Sequence, residues 1–175
     1  MLAKGYIQVY TGDGKGKTTA ALGQAFRSIG RGLKVFIVQF MKAPDSAGEH
    51  FSAQAFKEKL TIKPMGRPGF IHPHRLKPED RMKAQAALEE ARAAMLSQEY
   101  DVVVLDEVNI AVYFSLLEVQ ELVKLLDEKP PQVELILTGR NAHPDIIAKA
   151  DLVSEVKEIK HYYQQGIKAR EGIES

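Results

Sequence analysis

A glycine-rich segment near the amino terminus decides how this chain folds. It reads Thr11-Gly12-Asp13-Gly14-Lys15-Gly16-Lys17-Thr18-Thr19. The β-branched and aromatic run at residues 6–10 precedes the segment and predicts a strand. Apolar residues recur after it at the spacing of a helix, at Leu22, Ala25, Phe26 and Ile29. We therefore predict that the segment is a tight loop joining a strand to a helix.

Strand and helix signals alternate along the rest of the chain. Five apolar runs predict further strands, at residues 35–40, 60–62, 102–105, 134–137 and 152–156. Helical patterns lie between them: after Gly48, from Pro78 along an alanine-rich stripe, and at about residues 116–127. Residues 65–74 hold too many Gly and Pro for either element and predict a loop. This order predicts an α/β fold with a mostly parallel sheet, helices on both faces, and ligands at the carboxyl ends of the strands.

The composition is that of one ordinary folded domain, expected to span residues 1–175. The chain has 24 Lys and Arg against 23 Asp and Glu, a net charge of +1, and no cysteine. The lack of cysteine excludes disulfide frameworks and thiolate metal sites. No apolar run approaches the roughly 20 residues of a membrane span, and the balanced charge gives no electrostatic footprint for nucleic acid. We expect a cytoplasmic protein that binds neither membranes nor nucleic acid.

The glycine-rich loop has the residue types that bind polyphosphates. Its glycines let backbone N–H groups point inward, and the following helix adds its positive end. Lys17 supplies a mobile positive charge, and the Thr18 hydroxyl suits a divalent ion such as Mg²⁺. The pattern G-x-x-x-x-G-K-[ST] is met from Gly16 onward, but its first glycine falls on Thr11, with Gly12 one place late. Polyphosphate binding is predicted, and the alternative is a glycine-rich turn without a ligand.

Two carboxylates follow the apolar run at residues 102–105. Asp106 falls at the carboxyl end of a buried strand, where it can hold the Mg²⁺ shell; the alternative is a solvated strand end. Glu107 has three possible roles: it could orient a nucleophile, bind substrate, or cap the next helix.

Five segments together resemble a known family. They are GDGKGKTT at residues 12–19, VQF at 38–40, DE at 106–107, LTGRN at 137–141 and KHYYQQGIKA at 160–169. In this order they are similar to the ATP:corrinoid adenosyltransferases of the P-loop type, over nearly the whole chain. The resemblance implies a RecA-like P-loop NTPase fold, a homodimer, and ATP bound with Mg²⁺ or Mn²⁺. It also implies that a Co(I) corrinoid, reduced by a flavoprotein, attacks C5′ of ATP while inorganic triphosphate leaves.

The resemblance also implies roles for single residues at the nucleotide. Residues 12–19 would bind the triphosphate, and Lys17 and Glu107 are the catalytic candidates. Thr18 and Asp106 are the metal candidates. Arg27 matches a basic position of the family and would reach phosphate, with a solvated helix arginine as the alternative.

On the corrinoid side, Phe70 and His72 match a family segment that carries aromatic residues over the corrin. His72 stands where some members have Trp, so it could approach cobalt or be a plain loop histidine. Arg140 follows the strand at residues 134–137 and lies at the ligand edge of the sheet; the alternative is a salt-bridged loop residue. His161, beside Lys160, would contact the periphery of the corrinoid, with a solvated tail as the alternative.

The chain also departs from the family pattern. Only a few residues precede the first strand, whereas some members carry an amino-terminal extension that helps cover the site. Ile110 stands where relatives often have Tyr. Two other functions stay open: a P-loop small-molecule kinase or ATPase, which would release ADP or phosphate, and a nucleotide- or corrinoid-binding module without turnover. A nucleic-acid motor has no positive support in the sequence.

Overall fold

The parallel sheet predicted from the sequence is present. A computed structural model describes residues 2–44, 47–69 and 76–174. Its strands are β1 (Ile7–Thr11), β2 (Val35–Gln39), β3 (Leu60–Pro64), β4 (Val102–Asp106), β5 (Glu134–Thr138) and β6 (Leu152–Glu155). Its helices are α1 (Lys17–Ile29), α2 (Gly48–Ser52), α3 (Pro78–Leu96), α4 (Val108–Tyr113), α5 (Val119–Asp127) and α6 (Pro144–Lys149). Two short 3₁₀ helices, Ala53–Phe56 and Tyr162–Gln165, complete the described elements.

The strands form one sheet in the order β3-β2-β4-β5-β1-β6, and every pair is parallel. Every residue of β2, β4 and β5 is buried, because these strands are covered on both faces and are apolar except at their ends. All carboxyl ends lie at the same edge of the sheet. The ends of β1, β2, β4 and β5 therefore converge on one region.

The two faces of the sheet are covered unequally. A large core on one face packs α3, α4, α5 and α6 against alternate residues of the strands, such as Phe36, Val38, Val103 and Leu135. On the other face, α1 alone contributes Ala21 and Ala25 to a smaller core. Helices on both faces were predicted and are confirmed. No helix in the described ranges is both long and apolar enough to cross a membrane.

The structure differs from the sequence predictions around the short helices. The helix expected at about residues 116–127 begins at Val119, and Leu116 and Leu117 are buried in the preceding turn. Helices α4 and α6 were not predicted. Each has only six residues, too few for a 3.6-residue repeat to show in the sequence. Residues 65–69 are free of helix and strand, as predicted, and residues 70–74 of that loop lie outside the described ranges.

Close backbone approach at Gly5 provides a stability test of the sheet. Its N–H donates to the Pro131 carbonyl oxygen at 2.7 Å, and a Cβ at this position would lie 2.2 Å from the Val133 carbonyl oxygen. We expect Gly5→Ala to lower the free energy of unfolding by about 1–3 kcal/mol through overpacking. Gly23 is the control, because it is an exposed position of α1 where a Cβ meets nothing within 4 Å.

Gly23→Ala should raise the free energy of unfolding by about 0.5–1 kcal/mol, since alanine is the better helix former. Urea unfolding of both variants measures the two effects. A Gly5→Ala protein as stable as the Gly23→Ala protein would contradict the close approach of Gly5 to the Val133 backbone.

Candidate active site

The carboxyl-terminal part of the chain shapes the glycine-rich loop. The Gly14 N–H donates to the Val156 carbonyl oxygen at 2.8 Å, and the Val156 N–H donates to Thr11 at 2.8 Å. A Cβ at Gly12, where φ is +96°, would lie 2.5 Å from the Val156 oxygen. A Cβ at Gly14 would lie 2.8 Å from the Lys157 backbone. Glycine is therefore required at both positions by the segment that follows β6.

The loop delivers the chain directly into the amino terminus of α1. Gly16 is the N-cap residue, with φ of +127° and no side chain to occupy the first N–H groups. The first turn of α1 contains no acidic residue. These N–H groups and the positive end of the helix are thus available to an anion such as a phosphate.

Lys17 is held in the loop that precedes it. Its Nζ donates to the Gly14 carbonyl oxygen at 2.7 Å, and only 6% of the residue is exposed. Burial lowers the pKa of Lys17, whereas the negative charge of Glu107 acts in the opposite direction. The ammonium group is therefore poorly solvated and well placed to gain from an anionic ligand.

Asp106 is the centre of a hydrogen-bond network that joins several elements. Its Oδ1 accepts from the Thr18 and Thr138 hydroxyls, each at 2.7 Å. Its Oδ2 accepts from Gln39 Nε2 at 3.1 Å and lies 3.8 Å from Lys42 Nζ. Both oxygens of the carboxylate therefore face hydrogen-bond donors. The buried carboxylate therefore places a negative charge beside the Thr18 hydroxyl.

Glu107 is next to Asp106 but in a different environment. Its backbone is left-handed, with φ of +64°, and its N–H donates to the Thr138 hydroxyl at 2.9 Å. The side chain makes no capping hydrogen bond to α4 and lines a cavity instead. Burial and the charge of Asp106 raise the pKa of Glu107 to about 7. A carboxyl group that titrates near neutrality can exchange a proton or bind a polar substrate group.

A large open cavity brings most of the predicted residues together. Its volume is about 1250 Å³. The predicted site residues that line it are Gly14, Lys15, Gly16, Lys17, Thr18, Thr19, Glu107, Arg140 and His161. His161 also borders a smaller pocket of about 320 Å³ with Lys157 and Tyr162, and its Nδ1 accepts from the Tyr163 N–H at 3.1 Å.

The other predicted residues lie elsewhere. Asp106 is buried beneath the cavity wall, and neither Gly12 nor the exposed Asp13 lines the cavity. Arg27 is exposed on the third turn of α1, where Nη1 lies 3.5 Å from the Gln24 amide oxygen, and it does not line the cavity either. Phe70 and His72 lie outside the described residues. Pro68 and Gly69, which precede them, line the cavity.

Several site residues were given no role by the sequence analysis. Lys42 and Glu49 form an ion pair on the cavity wall, and Gln39 Nε2 donates to Glu49 Oε1 at 3.0 Å. Thr138 bridges Asp106 to the Glu107 backbone. Burial alone would raise the pKa of Glu49, but hydrogen bonding to Lys42 and its charge hold that pKa below the ordinary value. Gln39 and Thr138 end strands inside two segments that resemble the family, which was the available signal, whereas Lys42 and Glu49 had none.

The fold and the loop define a P-loop nucleotide-binding α/β protein. Among solved structures, a KaiC-like protein from the hyperthermophilic archaeon Pyrococcus horikoshii matches with a TM-score of 0.61 and 19% identity, covering 89% of this chain and 74% of that one. At that identity the match concerns the fold alone. It confirms the RecA-like fold predicted from the sequence.

Sequence comparison then assigns the family. The model of the ATP:corrinoid adenosyltransferase family BtuR/CobO/CobP matches residues 3–175. A corrinoid adenosyltransferase of Sinorhizobium is 39% identical, with 98% of this chain and 80% of that protein covered. Those of Pseudomonas aeruginosa and Escherichia coli K12 are each 36% identical over 98% of this chain, which spans 84% and 86% of their lengths. The chain belongs to the ATP:corrinoid adenosyltransferase family, as the resemblance implied.

The raised pKa of Glu107 makes the stability of the protein depend on pH. The folded-state pKa of about 7 lies above the ordinary value of 4.5, so folding favours the protonated form. The contribution of Glu107 to the stability of the wild-type protein should therefore fall as pH rises from 4.5 through 7. Glu107→Gln cannot ionise. In metal-free protein, its stability relative to wild type should grow by on the order of 2–3 kcal/mol between about pH 5 and about pH 8.

Urea unfolding at several pH values measures this difference. A stability difference between Glu107→Gln and wild type that does not change with pH would mean that Glu107 titrates near its ordinary value.

Proposed function

We propose that this protein transfers the 5′-deoxyadenosyl group of ATP to the Co(I) centre of a corrinoid and releases inorganic triphosphate. The observation that supports the proposal is a cluster of positive groups around the glycine-rich loop. The chain that carries this cluster belongs to the adenosyltransferase family. The loop N–H groups, Lys17 and the amino terminus of α1 face one cavity, with Lys42 and Arg140 on its wall.

The electron flow explains why these groups are suited to the reaction. The Co(I) electron pair forms a bond to C5′, the bond between C5′ and the phosphate oxygen breaks, and its electrons remain on the departing triphosphate. Negative charge therefore develops on the leaving group. Preorganised N–H donors and the Lys17 ammonium stabilise that charge without reorganising. No water needs to be activated for this reaction.

The oxygen atoms at the end of β4 fit a divalent metal. The Thr18 hydroxyl and the Asp106 carboxylate are 2.7 Å apart, and oxygen ligands of this kind suit Mg²⁺ or Mn²⁺. When bound, the metal would neutralise charge on the triphosphate. Thr18 and Asp106 are the residues that would hold it.

The cavity is larger than a typical pocket for one small ligand. Its volume of about 1250 Å³ exceeds the roughly 300–1,000 Å³ typical of pockets for one small ligand. Apolar side chains such as Met41, Ile110 and Phe114 line it together with the charged groups. We propose that ATP lies along the loop and the corrinoid lies over the apolar part, with His161 at its periphery.

A second candidate function is supported by Glu107. A buried carboxyl group whose pKa is about 7, beside a P-loop, suits a general base that takes a proton from a substrate hydroxyl. That arrangement would serve a small-molecule kinase or an ATPase. The two candidates differ in product, since a kinase or ATPase yields ADP and the adenosyltransferase yields triphosphate.

The proposal extends, on the family resemblance, to three properties of the protein in the cell. We propose that it is a homodimer, that it is cytoplasmic, and that a flavoprotein supplies the electrons for Co(I). Sedimentation analysis of the purified protein tests the first property.

An anaerobic assay tests the function directly. Purified protein is mixed with ATP, Mg²⁺ and chemically reduced cob(I)alamin, and the absorbance and the phosphate products are followed. We expect light-sensitive adenosylcobalamin and one triphosphate per turnover. ADP with unchanged corrinoid would instead favour the kinase or ATPase. ATP-dependent corrinoid binding without a cobalt–carbon bond would favour a binding module.

Lys17→Ala tests the charge stabilisation. Removing the ammonium group should lower the rate of adenosylation by about 100-fold or more, because the developing charge on the triphosphate loses a preorganised partner. Lys149→Ala is the control, since Lys149 is paired with Asp127 on the exposed surface of α6. Near wild-type turnover of Lys17→Ala in the anaerobic assay would overturn this placement of the triphosphate.

Phe70→Ala tests the corrinoid side of the proposal. By the family resemblance, Phe70 helps to remove the axial ligand before cobalt is reduced. We therefore expect a larger loss when the assay starts from Co(II) than when Co(I) is supplied. Equal losses in the two assays would argue against that role.

A further inference from the structure

A buried amide connects Asp106 to a histidine that no motif includes. Gln39, the last residue of β2, is fully buried. Its Nε2 donates to Asp106 Oδ2 at 3.1 Å and to Glu49 Oε1 at 3.0 Å. Its Oε1 lies 2.6 Å from His50 Nε2. The three side chains around Gln39 thus use both of its amide N–H groups and its oxygen.

These contacts permit only one orientation of the Gln39 amide. A flipped amide would place its oxygen against the carboxylates of Asp106 and Glu49, which is repulsive. In the observed orientation the amide oxygen faces His50, so His50 must carry a proton on Nε2 and donate it. The two carboxylates therefore set the direction of the amide, and a proton on His50 Nε2 completes its hydrogen bonding.

Among the described residues, the ring nitrogens of His50 make one hydrogen bond, the bond from Nε2 to Gln39. His50 is buried, and its Nδ1 has no hydrogen-bond partner among the described residues. Leaving a buried polar atom unpaired carries a free-energy cost that an apolar side chain would avoid. Helix α2 carries both Glu49 and His50 and places them against the end of β2.

We propose that His50 is a positioning residue of the metal–nucleotide site and acts through Gln39 on the carboxylate of Asp106. This inference rests on the metal and nucleotide binding within the proposed function, and it makes no use of the corrinoid. Without the Nε2 donor, the Gln39 amide oxygen loses its bond to His50, and the amide is held by the carboxylates of Asp106 and Glu49. The donor to Asp106 Oδ2 is then less firmly positioned, and so is the carboxylate beside Thr18.

Two variants of His50 separate the donor from the packing. Gln places its amide nitrogen near the position of Nε2 in histidine, whereas Asn places it near the position of Nδ1. Both are neutral, polar and smaller than histidine, so both should fold alike.

The measured quantity is the ATP dissociation constant in EDTA divided by the ATP dissociation constant in saturating Mg²⁺. Both constants are determined by titration calorimetry on the full chain.

We expect His50→Asn to lower this ratio by about tenfold, as replacing outer partners of metal ligands commonly does. His50→Gln should retain most of the ratio, and the affinity for ATP in EDTA should be the same in all three proteins. An unchanged ratio in His50→Asn, or equal losses in the two variants, would overturn the proposal. A loss of ATP affinity in EDTA as well, with a lower melting temperature, would mark a structural role and overturn it too.

The Gln39→Met variant tests whether His50 acts on Asp106 through Gln39. If His50 acts through Gln39, adding His50→Asn to Gln39→Met should cause no further loss of the Mg²⁺ ratio, and additive losses would overturn the proposed path. The anaerobic assay of wild-type protein is scored separately. A protein that binds Mg²⁺–ATP as described but forms no adenosylcobalamin would refute the proposed function and leave this inference standing. A wild-type ratio near one would overturn this inference, while the anaerobic assay would still decide the proposed function.

Discussion

The buried negative charge of Asp106 is the constraint on which the site depends. Only 1% of this residue is exposed, and a carboxylate at such depth is stable only when surrounding donors replace its water. Those donors come from the start of α1 and from the ends of β2 and β5. The same carboxylate thus fixes Thr18, Gln39 and Thr138 relative to one another. The geometry of the nucleotide site follows from satisfying this one charge.

Adjacent carboxylates therefore have opposite properties. Asp106 accepts several hydrogen bonds, whereas burial and the neighbouring charge raise the pKa of Glu107 to about 7. The left-handed backbone of Glu107 turns its side chain out of the network and into the cavity. One group is suited to holding a cation beside the triphosphate, and the other to proton exchange or substrate contact.

The features readable from the sequence were those with a strong local pattern. The glycine loop, the apolar strands and the Asp106–Glu107 pair each have a short-range signature, and the α/β fold followed from their alternation. The hydrogen-bond network around Asp106 could not be predicted from the sequence. Gln39, Glu49 and Thr138 are far apart in the chain and are brought together by the order of the strands and by the short helix α2. Arg27 illustrates the converse. Its basic character was visible in the sequence, but its position beyond the cavity depends on the length and direction of α1.

The pairing of β1 has a consequence for how the protein is made. This first strand is hydrogen bonded to β5 and β6, and the Ile7 N–H bonds a side chain 144 residues away. Pairings between such distant parts of a chain form late, because a long loop must close first. During synthesis the glycine loop emerges well before Val156, whose backbone contacts shape it. A nascent chain thus acquires its nucleotide pocket only after the segment that follows β6 has left the ribosome.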